Sequence, residues 1–388
     1  MHRGVPAAVR IVHLARDEKF VPLLRRLWEI AQPGANHWVI AQRRRARAAF
    51  VEPGSDVTFR SEWRFRTRLI AADVAHADVI LAHSMTSIFA NAIHHAPPSA
   101  RVVWKGWGYD YYPLLAAQLG DPILPLTRVL MGGASSTDGE AADADERTGW
   151  WQRLLGAGAR KRSALERVAA RLHTFCVIPT EVAMVRKALP ALTAVHHELP
   201  LFTTEDVFAS GPLSMDGPDV LLGNSATASN NHVDAMALLE GRLGDGRIVV
   251  PLSYGNAGYG AKVAARGREL FADRLDALRD WMSLADYNAR IQRCGFVFMN
   301  HRRQQAVGNI GAALYKGATV YLRTENPLYG FYAGLGIHLR SVDELASGGG
   351  PLVPLSEGQR HENRTRIGAH YARARVVQAM RELPALRS

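Results

Sequence analysis

Residues 9–31 read VRIVHLARDEKFVPLLRRLWEIA, and they predict a β-strand, a loop and a helix in succession. VRIVHLA is a short apolar run rich in β-branched residues, whereas the apolar residues of FVPLLRRLWEIA recur at helical spacing. The same strand pattern returns at HWVIAQ (37–42), ADVILAHS (77–84), ARVVWKGWG (100–108) and TFCVIPT (174–180). Strands that alternate with amphipathic helices predict a parallel sheet covered by helices on both faces.

A second alternation follows further along the chain. Its strand-like runs are PDVLLGNS (218–225), GRIVVPLSY (246–254), CGFVFMN (294–300) and ATVYLRT (318–324). Between the two series, residues 198–218 lose their periodicity and gather turn residues, which indicates a linker. The sequence therefore predicts two α/β domains, residues 1–200 and 218–388, with a cleft between them. Ligands of open parallel sheets bind beyond the carboxyl ends of the strands, so the loops there hold the candidate residues.

Residues 132–162 interrupt the first series and predict an exposed insertion. The segment is first small, polar and acidic, and then becomes apolar and basic around Trp150 and Trp151. Two interpretations stay open: an amphipathic element at a membrane interface, with aromatic rings at headgroup depth, or a helix that packs on the domain.

The composition excludes several classes of protein. A chain of 388 residues with 47% hydrophobic residues is long enough for two cores. No apolar run reaches the roughly 18 residues of a membrane span, and the first twenty residues meet charge too soon for a signal peptide. We expect a protein that neither crosses a membrane nor is exported. Cys176 and Cys294 lie in apolar stretches, as buried thiols of a reducing cytoplasm do.

The net charge of +11 is concentrated near the N-terminus. Residues 1–130 hold 17 basic and 10 acidic side chains, which is seven of the eleven net positive charges. An anionic partner is implied, and either a nucleic acid or an anionic membrane surface fits. A general bias of the composition towards arginine is the alternative that involves no partner.

Two polar loops of the second domain are candidates for binding a diphosphate. After the strand VLL, Gly223, Asn224 and Ser225 precede a helix, whose N-terminus favours an anion. The segment 301–309, HRRQQAVGN, places two guanidinium groups and two carboxamides between a strand and a helix, and arginine pairs bidentately with phosphate. A capping loop and a solvated basic loop are the structural alternatives for the two segments.

Two further loops of this domain fit a nucleoside. A planar base can stack on Tyr254 or Tyr329, and Glu325 can accept hydrogen bonds from ribose hydroxyls. Turns with packed tyrosines are the alternative.

In the first domain, VVWKGWGYDYY (102–112) combines aromatic rings with a carboxylate at the end of a strand. Sugars stack on such rings, and a carboxylate such as Asp110 suits the general base that deprotonates a hydroxyl. Asp17, after the first strand, is the second candidate. Core aromatic residues and a helix cap are the alternative interpretation.

The sequence offers no convincing metal site. Asp143 and Asp145 form a D-x-D pattern, but they lie in the acidic part of the 132–162 segment with no strand before them. The His94–His95 and His196–His197 pairs are adjacent, which is not the i, i+4 spacing of two ligands on a helix. We therefore expect no metal.

Taken together, these segments resemble the TDP-N-acetylfucosamine:lipid II N-acetylfucosaminyltransferase family, the 4-alpha-L-fucosyltransferase-like glycosyltransferases. The resemblance spans roughly residues 11–345 and agrees in order and spacing. It is carried by IVHLARDEKF (11–20), VVWKGWGYDYY (102–112), LLGNSATASNNH (221–232), VVPLSYGNAGYG (249–260) and HRRQQAVGNIGAALYKGATVYLRTENPLYG (301–330).

The resemblance implies an α/β GT-B fold: two Rossmann-like domains facing across a cleft, the N-terminal one for the acceptor and the C-terminal one for the nucleotide sugar. It implies a diphosphate site formed by Asn224, Ser225, Arg302, Arg303, Gln304, Gln305, Gly308 and Asn309. Tyr254 and Glu325 would contact the nucleoside, and Asp110 and Asp17 are the candidate bases. We expect His13, Lys19, Trp107 and Tyr109 to contact the acceptor, and we expect no metal or other cofactor.

The implied reaction moves an acetamido-deoxyhexose, such as N-acetylfucosamine, from a dTDP-sugar to an undecaprenyl-diphosphate-linked saccharide. We expect the enzyme to act in bacterial cell-surface polysaccharide biosynthesis, as a peripheral protein on the inner face of the cytoplasmic membrane, with no nucleic-acid partner. Within the same class, another nucleotide sugar or an O-antigen, capsule or protein acceptor stays open. A basic nucleic-acid-binding protein is the alternative from a different class.

Overall fold

The computed structural model describes residues 9–42, 48–132, 165–211 and 214–385. The chain divides into two compact units, which are described separately. The first contains the described residues of segments 1–115, 155–201 and 374–388, and the second those of 116–154 and 202–373. Trp150, Trp151 and nearly all of the insertion predicted over 132–162 lie outside the described residues.

The first unit is built on a seven-stranded sheet in which every pairing is parallel. Its strands are β1 (Ile11–Arg16), β2 (Asn36–Gln42), β3 (Val57–Ser61), β4 (Val79–His83), β5 (Arg101–Lys105), β6 (Thr174–Cys176) and β7 (Val195–His196). They lie in the order β3-β2-β1-β4-β5-β6-β7, the doubly wound order of dinucleotide-binding domains.

The second unit repeats this topology with six parallel strands. They are β8 (Val220–Leu222), β9 (Ile248–Pro251), β10 (Leu275–Leu278), β11 (Phe296–Met299), β12 (Thr319–Leu322) and β13 (Arg340–Ser341). The order β10-β9-β8-β11-β12-β13 places the crossover point between β8 and β11, where a doubly wound sheet binds its ligand.

Helices connect the strands of each sheet. Those of the first unit are Val21–Ala31, Glu62–Phe65, Ala71–Val74, Ser87–His94, Val182–Ala188 and Arg373–Glu382, with residues 165–169 also helical, and Tyr112–Leu119 leads from this unit to the next. Those of the second are Pro125–Leu130, His232–Leu239, Ala257–Phe271, Leu284–Ile291, Val307–Tyr315, Pro327–Gly334, Val342–Gly348 and Glu357–His370. Short 3-10 turns are Arg68–Ile70, Pro179–Glu181, Ala228–Asn230, Ala272–Arg274 and Leu383–Ala385, and Thr204–Phe208 is a π-helical turn.

The helix Val21–Ala31 illustrates how the sequence pattern determines these elements. A proline stands in its first turn, where a missing N–H costs nothing. Leu24, Leu27, Trp28 and Ala31 recur at spacings of three and four residues, and all of them are buried. The apolar face predicted from the sequence is therefore the face that covers the sheet.

The boundaries of the two units differ from the predicted 1–200 and 218–388 in two places. Residues 116–132 belong to the second unit, because Asp234 accepts hydrogen bonds from the backbone N–H groups of Leu126 and Thr127. The C-terminal helix belongs to the first unit: His197 Nε2 lies 2.9 Å from Ala379 O, and Arg375 pairs with Glu198. The hydrophobic periodicity of the sequence predicts neither the contacts of Asp234 nor those of the C-terminal helix.

Candidate active site

The loops after β8 and β11 form one connected polar network in the second unit. Its hub is Asn230, whose side chain is completely buried. Asn230 Nδ2 donates to the carbonyl oxygens of Ser225 and Thr227, both at 3.0 Å. Asn230 Oδ1 accepts the N–H of Asn224 and lies 2.7 Å from His301 Nε2. The hub fixes the conformation of the loop that holds Asn224 and Ser225.

Gly223, which opens this loop, tolerates no side chain. Its φ angle is +69°, in the left-handed region that favours glycine. A Cβ atom there would meet Asn230 Oδ1 at 2.7 Å and His232 Nε2 at 2.9 Å. The close approach of backbone and polar side chains is the feature that the small residues of this loop predicted.

Arg303, Gln305 and Asn224, three of the predicted diphosphate residues, meet at the crossover point. Gln305 Nε2 donates to Asn224 Oδ1 at 3.0 Å, and Ser229 Oγ donates to Gln305 Oε1 at 2.8 Å. Arg303 makes two longer hydrogen bonds, at 3.3 and 3.4 Å, to Gln304 O and Ser229 Oγ. Both acceptors are neutral groups.

Arg302 is in a different environment. Its guanidinium forms a bidentate ion pair with Glu325 at 2.8 Å and donates to Asp121 O at 2.5 Å. Glu325 also pairs with Arg323. Burial would raise the pKa of Glu325, but the hydrogen bonds from both arginines outweigh it and hold the pKa below its ordinary value. Arg302 and Glu325 are thus partners of each other, an arrangement absent from the sequence prediction.

The helix Val307–Tyr315 begins directly after this arginine pair. Ala306 precedes it with a φ of +59°, and no side chain caps the first turn. Gly308, in that turn, lies against Phe202, since a Cβ atom would meet its ring at 3.0 Å. Asn309 is exposed. The first turn therefore carries N–H groups that no cap satisfies, next to Arg303.

The sequence analysis did not select the histidines of this network. His301 and His232 are both completely buried, and burial lowers the pKa of both, that of His232 to about 3. His301 Nδ1 and His232 Nε2 have no hydrogen-bond partner in the described part of the chain. His301 closely follows β11, so its position at a strand end was an available signal, whereas His232 is the first residue of the helix His232–Leu239.

The predicted nucleoside residues lie in neighbouring loops. Tyr254, after β9, is 51% exposed, and its carbonyl oxygen accepts the N–H of Ala226 at 2.7 Å. Burial raises the pKa of Tyr329, with Glu344 and Asp343 adding to the effect. Tyr254 presents an accessible ring at the carboxyl end of the sheet.

In the first unit, the carboxylate of Asp110 is occupied by N–H donors. It accepts hydrogen bonds from Met85 N at 2.7 Å, Trp104 Nε1 at 2.8 Å and Trp107 N at 2.9 Å. Burial raises the pKa of Asp110, although these three donors oppose the shift. Asp110 thereby ties the loop after β4 to the loop after β5.

Asp17 also accepts hydrogen bonds from N–H groups, and it is less buried than Asp110. Its carboxylate accepts the backbone N–H groups of Ala49, Phe50 and Val51 and so anchors the segment before β3. Lys19, two residues on, lies 5.0 Å from the ring centroid of Phe20. Both candidate bases are therefore structural acceptors in this structure.

The remaining predicted acceptor residues surround a buried histidine pair. His13 stacks on Trp38 with ring centroids 4.0 Å apart and lies 3.2 Å from His83 through their nitrogens. Tyr109 OH donates to Ser84 Oγ at 2.9 Å, and Trp107 lies edge-on to His83. His83, at the end of β4, is a residue that the sequence analysis missed.

A groove of about 1360 Å³ in the first unit runs along Arg25, Arg26 and Asp56 and contains none of the predicted site residues. Within the described ranges, no group of three or more His, Cys, Asp or Glu side chains is arranged to hold a metal ion. No helix among the described residues is long and apolar enough to span a membrane.

Comparisons with known proteins agree with this architecture. The model of glycosyl transferase group 56, the 4-alpha-L-fucosyltransferases, matches residues 200–333, which include the loops after β8, β9, β11 and β12. Over these residues, the resemblance predicted from the sequence is confirmed. The chain is a glycosyltransferase.

Solved structures share its fold across nearly the whole chain. Sucrose-phosphate synthase from Thermosynechococcus elongatus has a TM-score of 0.62 at 11% identity, over 96% of this chain and 98% of its own. HepE from Anabaena, in complex with UDP and glucose, gives 0.60 at 10% identity, over 97% and 99%. The trehalose-phosphate synthase of Burkholderia vietnamiensis gives 0.58 at 12%, over 96% and 98%. These likenesses establish the GT-B fold, with its two parallel-sheet α/β domains.

Proposed function

We propose that this glycosyltransferase transfers an acetamido-deoxyhexose, such as N-acetylfucosamine, from a dTDP-sugar to an undecaprenyl-diphosphate-linked saccharide. The observation that carries the proposal is the crossover point of the second sheet. There Arg303, Gln305 and Asn224 meet beside the uncapped first turn of the helix Val307–Tyr315. Cationic and N–H donors are what a leaving nucleoside diphosphate needs, because one further negative charge develops on the diphosphate as its bond to the sugar breaks.

The mechanism we propose is direct displacement. The acceptor hydroxyl attacks the anomeric carbon, and Arg303 and the helix N-terminus receive the diphosphate. We expect the reaction to need no metal and no other cofactor, since these groups neutralise the leaving group. Transfer that continues in excess EDTA is the expected result, and loss of transfer that Mg²⁺ restores would contradict it.

The sugar and the acceptor are proposed from the family resemblance. HepE was solved in complex with UDP-glucose as well as with UDP and glucose, which supports a nucleotide-sugar donor for this fold but does not select the base. A UDP-sugar, or an acceptor of O-antigen, capsule or protein type, is the alternative within the class.

We also propose that the enzyme binds the inner face of the cytoplasmic membrane as a peripheral protein. The excess of basic residues in the first third of the sequence supports an anionic surface as partner. A patch after β3 adds to this: Trp63 is 63% exposed and Leu69 is 49% exposed, with exposed Arg66 and Arg68 between them. Aromatic and aliphatic groups interspersed with arginines suit the interface of an anionic bilayer.

The donor class is tested by thermal shift with dTDP, UDP, GDP and CMP. We expect dTDP to raise the Tm of the wild type most. A larger shift with UDP would overturn the choice of base while leaving the enzyme class intact. Binding to polyanions that falls steeply with salt, with no response to any nucleotide, would instead favour a nucleic-acid-binding protein.

A further inference from the structure

A chain of three polar side chains runs through the first unit, ending at the carboxyl end of β4. His83, the last residue of that strand, is only 3% exposed. Its Nε2 lies 3.2 Å from His13 Nδ1 on β1, and His13 Nε2 lies 3.1 Å from Asn36 Oδ1 on β2. The chain thus crosses three adjacent strands of the sheet.

The hydrogen-bond partners fix where each proton sits. Asn36 Nδ2 donates to the carbonyl oxygens of Trp28 and Gln32, so Asn36 Oδ1 is an acceptor and His13 Nε2 must donate to it. Burial lowers the pKa of His13 to about 3, so its ring is neutral and its Nδ1 carries a lone pair that can accept a hydrogen bond. His83 Nε2 therefore donates to His13, and His83 Nδ1 is left as an acceptor.

That acceptor has no partner among the residues that the structure describes. Trp107 lies edge-on to His83, with ring centroids 6.4 Å apart, and Trp107 Nε1 is likewise buried without a partner within the described ranges. A buried, unpaired polar atom is costly, and two of them on neighbouring rings call for an explanation beyond stability.

The backbone beside His83 is strained as well. Ser84 has a φ of +77°, which is unfavourable for a residue other than glycine. Two contacts hold this conformation: Tyr109 OH donates to Ser84 Oγ, and Met85 N donates to Asp110. Asp110 and Tyr109, predicted to act on the acceptor, thus serve to position the loop that follows His83.

We propose that His83 is the general base of the transfer reaction, an inference that rests on the proposed function. As the acceptor oxygen bonds to the anomeric carbon, the bond from that carbon to the diphosphate oxygen breaks and its electron pair leaves with the dTDP. The hydroxyl proton passes to His83 Nδ1. His83 Nε2–H continues to donate to His13, and this contact keeps the ring in the required tautomer.

The groups around His83 make it a weak base, so it accepts the hydroxyl proton only after the new C–O bond has begun to form. Burial holds the pKa of His83 well below its ordinary value, and His13 and Lys105 add to the shift. Lys105 Nζ donates to Leu199 O, and Asp110 and Tyr109 lie in the loop after β5. A weak base suffices, because the hydroxyl proton becomes strongly acidic once the new C–O bond is forming.

The test uses His83→Gln in the full-length enzyme. The glutamine amide reaches the position of Nε2 and can donate to His13, but it provides no group at Nδ1. With dTDP-N-acetylfucosamine and an undecaprenyl-diphosphate-linked saccharide as probes, we expect kcat to fall at least about 100-fold. The KM for the acceptor and the dTDP-induced rise in Tm should stay near the wild-type values.

The acid limb of the pH–activity profile distinguishes a residue that accepts the hydroxyl proton from a residue that only packs. We expect it to disappear from the residual activity of His83→Gln and also of His83→Asn, which is the second variant should the first fold poorly. An acid limb retained in both variants, or wild-type kcat in His83→Gln, would overturn the inference while the proposed function stands. A wild type that transfers from no nucleotide sugar would overturn both.

Discussion

The two sheets share one strand order but carry opposite chemistry at their carboxyl ends. In the second unit, the loops after β8 and β11 present a guanidinium, carboxamides and an uncapped helix N-terminus. In the first unit, the loops after β4 and β5 enclose neutral imidazoles, indole rings and a carboxylate occupied by N–H donors. The same topology therefore carries cationic and N–H donor groups at the carboxyl end of one sheet and neutral aromatic groups at that of the other.

The greatest loss of stability is expected from Asp110→Ala in the first unit. Three N–H groups, two in buried hydrogen bonds and one in a part-buried hydrogen bond, would lose their acceptor, at a cost of about 3 kcal/mol or more in the free energy of unfolding. Asp17→Ala is the matched control, because it also removes three N–H contacts, but from a more exposed loop where water replaces the carboxylate. Denaturant titration should show a loss nearer 1 kcal/mol for Asp17→Ala. Equal losses would contradict the structural role of Asp110.

The next prediction concerns Glu181, a completely buried carboxyl group in the first unit. Tyr111 OH donates to it at 2.5 Å, and Tyr112 OH donates to its other oxygen. Burial raises its pKa to about 7. Below pH 4.5 the group is protonated in both states; as the pH rises towards 7 only the unfolded chain ionises, so the folded state loses stability of the order of 3 kcal/mol.

Glu181→Gln removes this titration. Its stability relative to the wild type, followed by denaturant titration, should therefore increase between pH 4.5 and pH 8. Parallel stability curves for the two proteins would show that Glu181 is ionised in the fold.

In the second unit, Arg303→Ala and Arg302→Ala are expected to affect nucleotide binding differently. We expect Arg303→Ala to weaken dTDP binding about 30-fold, or about 2 kcal/mol by titration calorimetry. Arg302→Ala should have a much smaller effect, about threefold, because Glu325 already holds that guanidinium. Arg266→Ala, which removes an exposed ion pair with Glu269, is the control and should bind as the wild type does. A larger loss for Arg302 would reverse the assignment.

The smallest expected effect is that of Trp63→Ala on membrane binding. Removing one exposed indole should weaken partitioning into vesicles with phosphatidylglycerol by roughly 1–2 kcal/mol, about tenfold. Trp281→Ala is the matched control, since Trp281 is 86% exposed in the second unit. Equal losses for the two variants in a sedimentation assay would mean that the patch around Trp63 has no special role.

The central strands were predictable because their residues are buried on both faces. All nine predicted runs contain strands, whereas the sequence analysis missed β3, β7, β10 and β13. β3 and β10 lie at the sheet edges, where half-buried residues such as those of Val57–Ser61 give no continuous apolar run.

The contacts among the candidate residues were predictable only in part. Arg303, Gln305 and Asn224 meet as the loop patterns indicated. Other contacts join residues that are far apart in the sequence: Arg302 pairs with Glu325, 23 positions away, and His13 contacts His83, 70 positions away. Asp110 is held through backbone N–H groups such as that of Met85, which no side-chain pattern reveals. Only the folded chain brings such partners together, so sequence spacing carried no signal for them.

The proposed transfer is tested by mass spectrometry of a lipid-linked saccharide incubated with dTDP-N-acetylfucosamine and the enzyme. We expect that the wild type adds one acetamido-deoxyhexose to the acceptor and that Arg303→Ala, at the same subsaturating donor concentration, adds far less. An acceptor of unchanged mass with every nucleotide sugar tried, or equal product from both proteins, would contradict it.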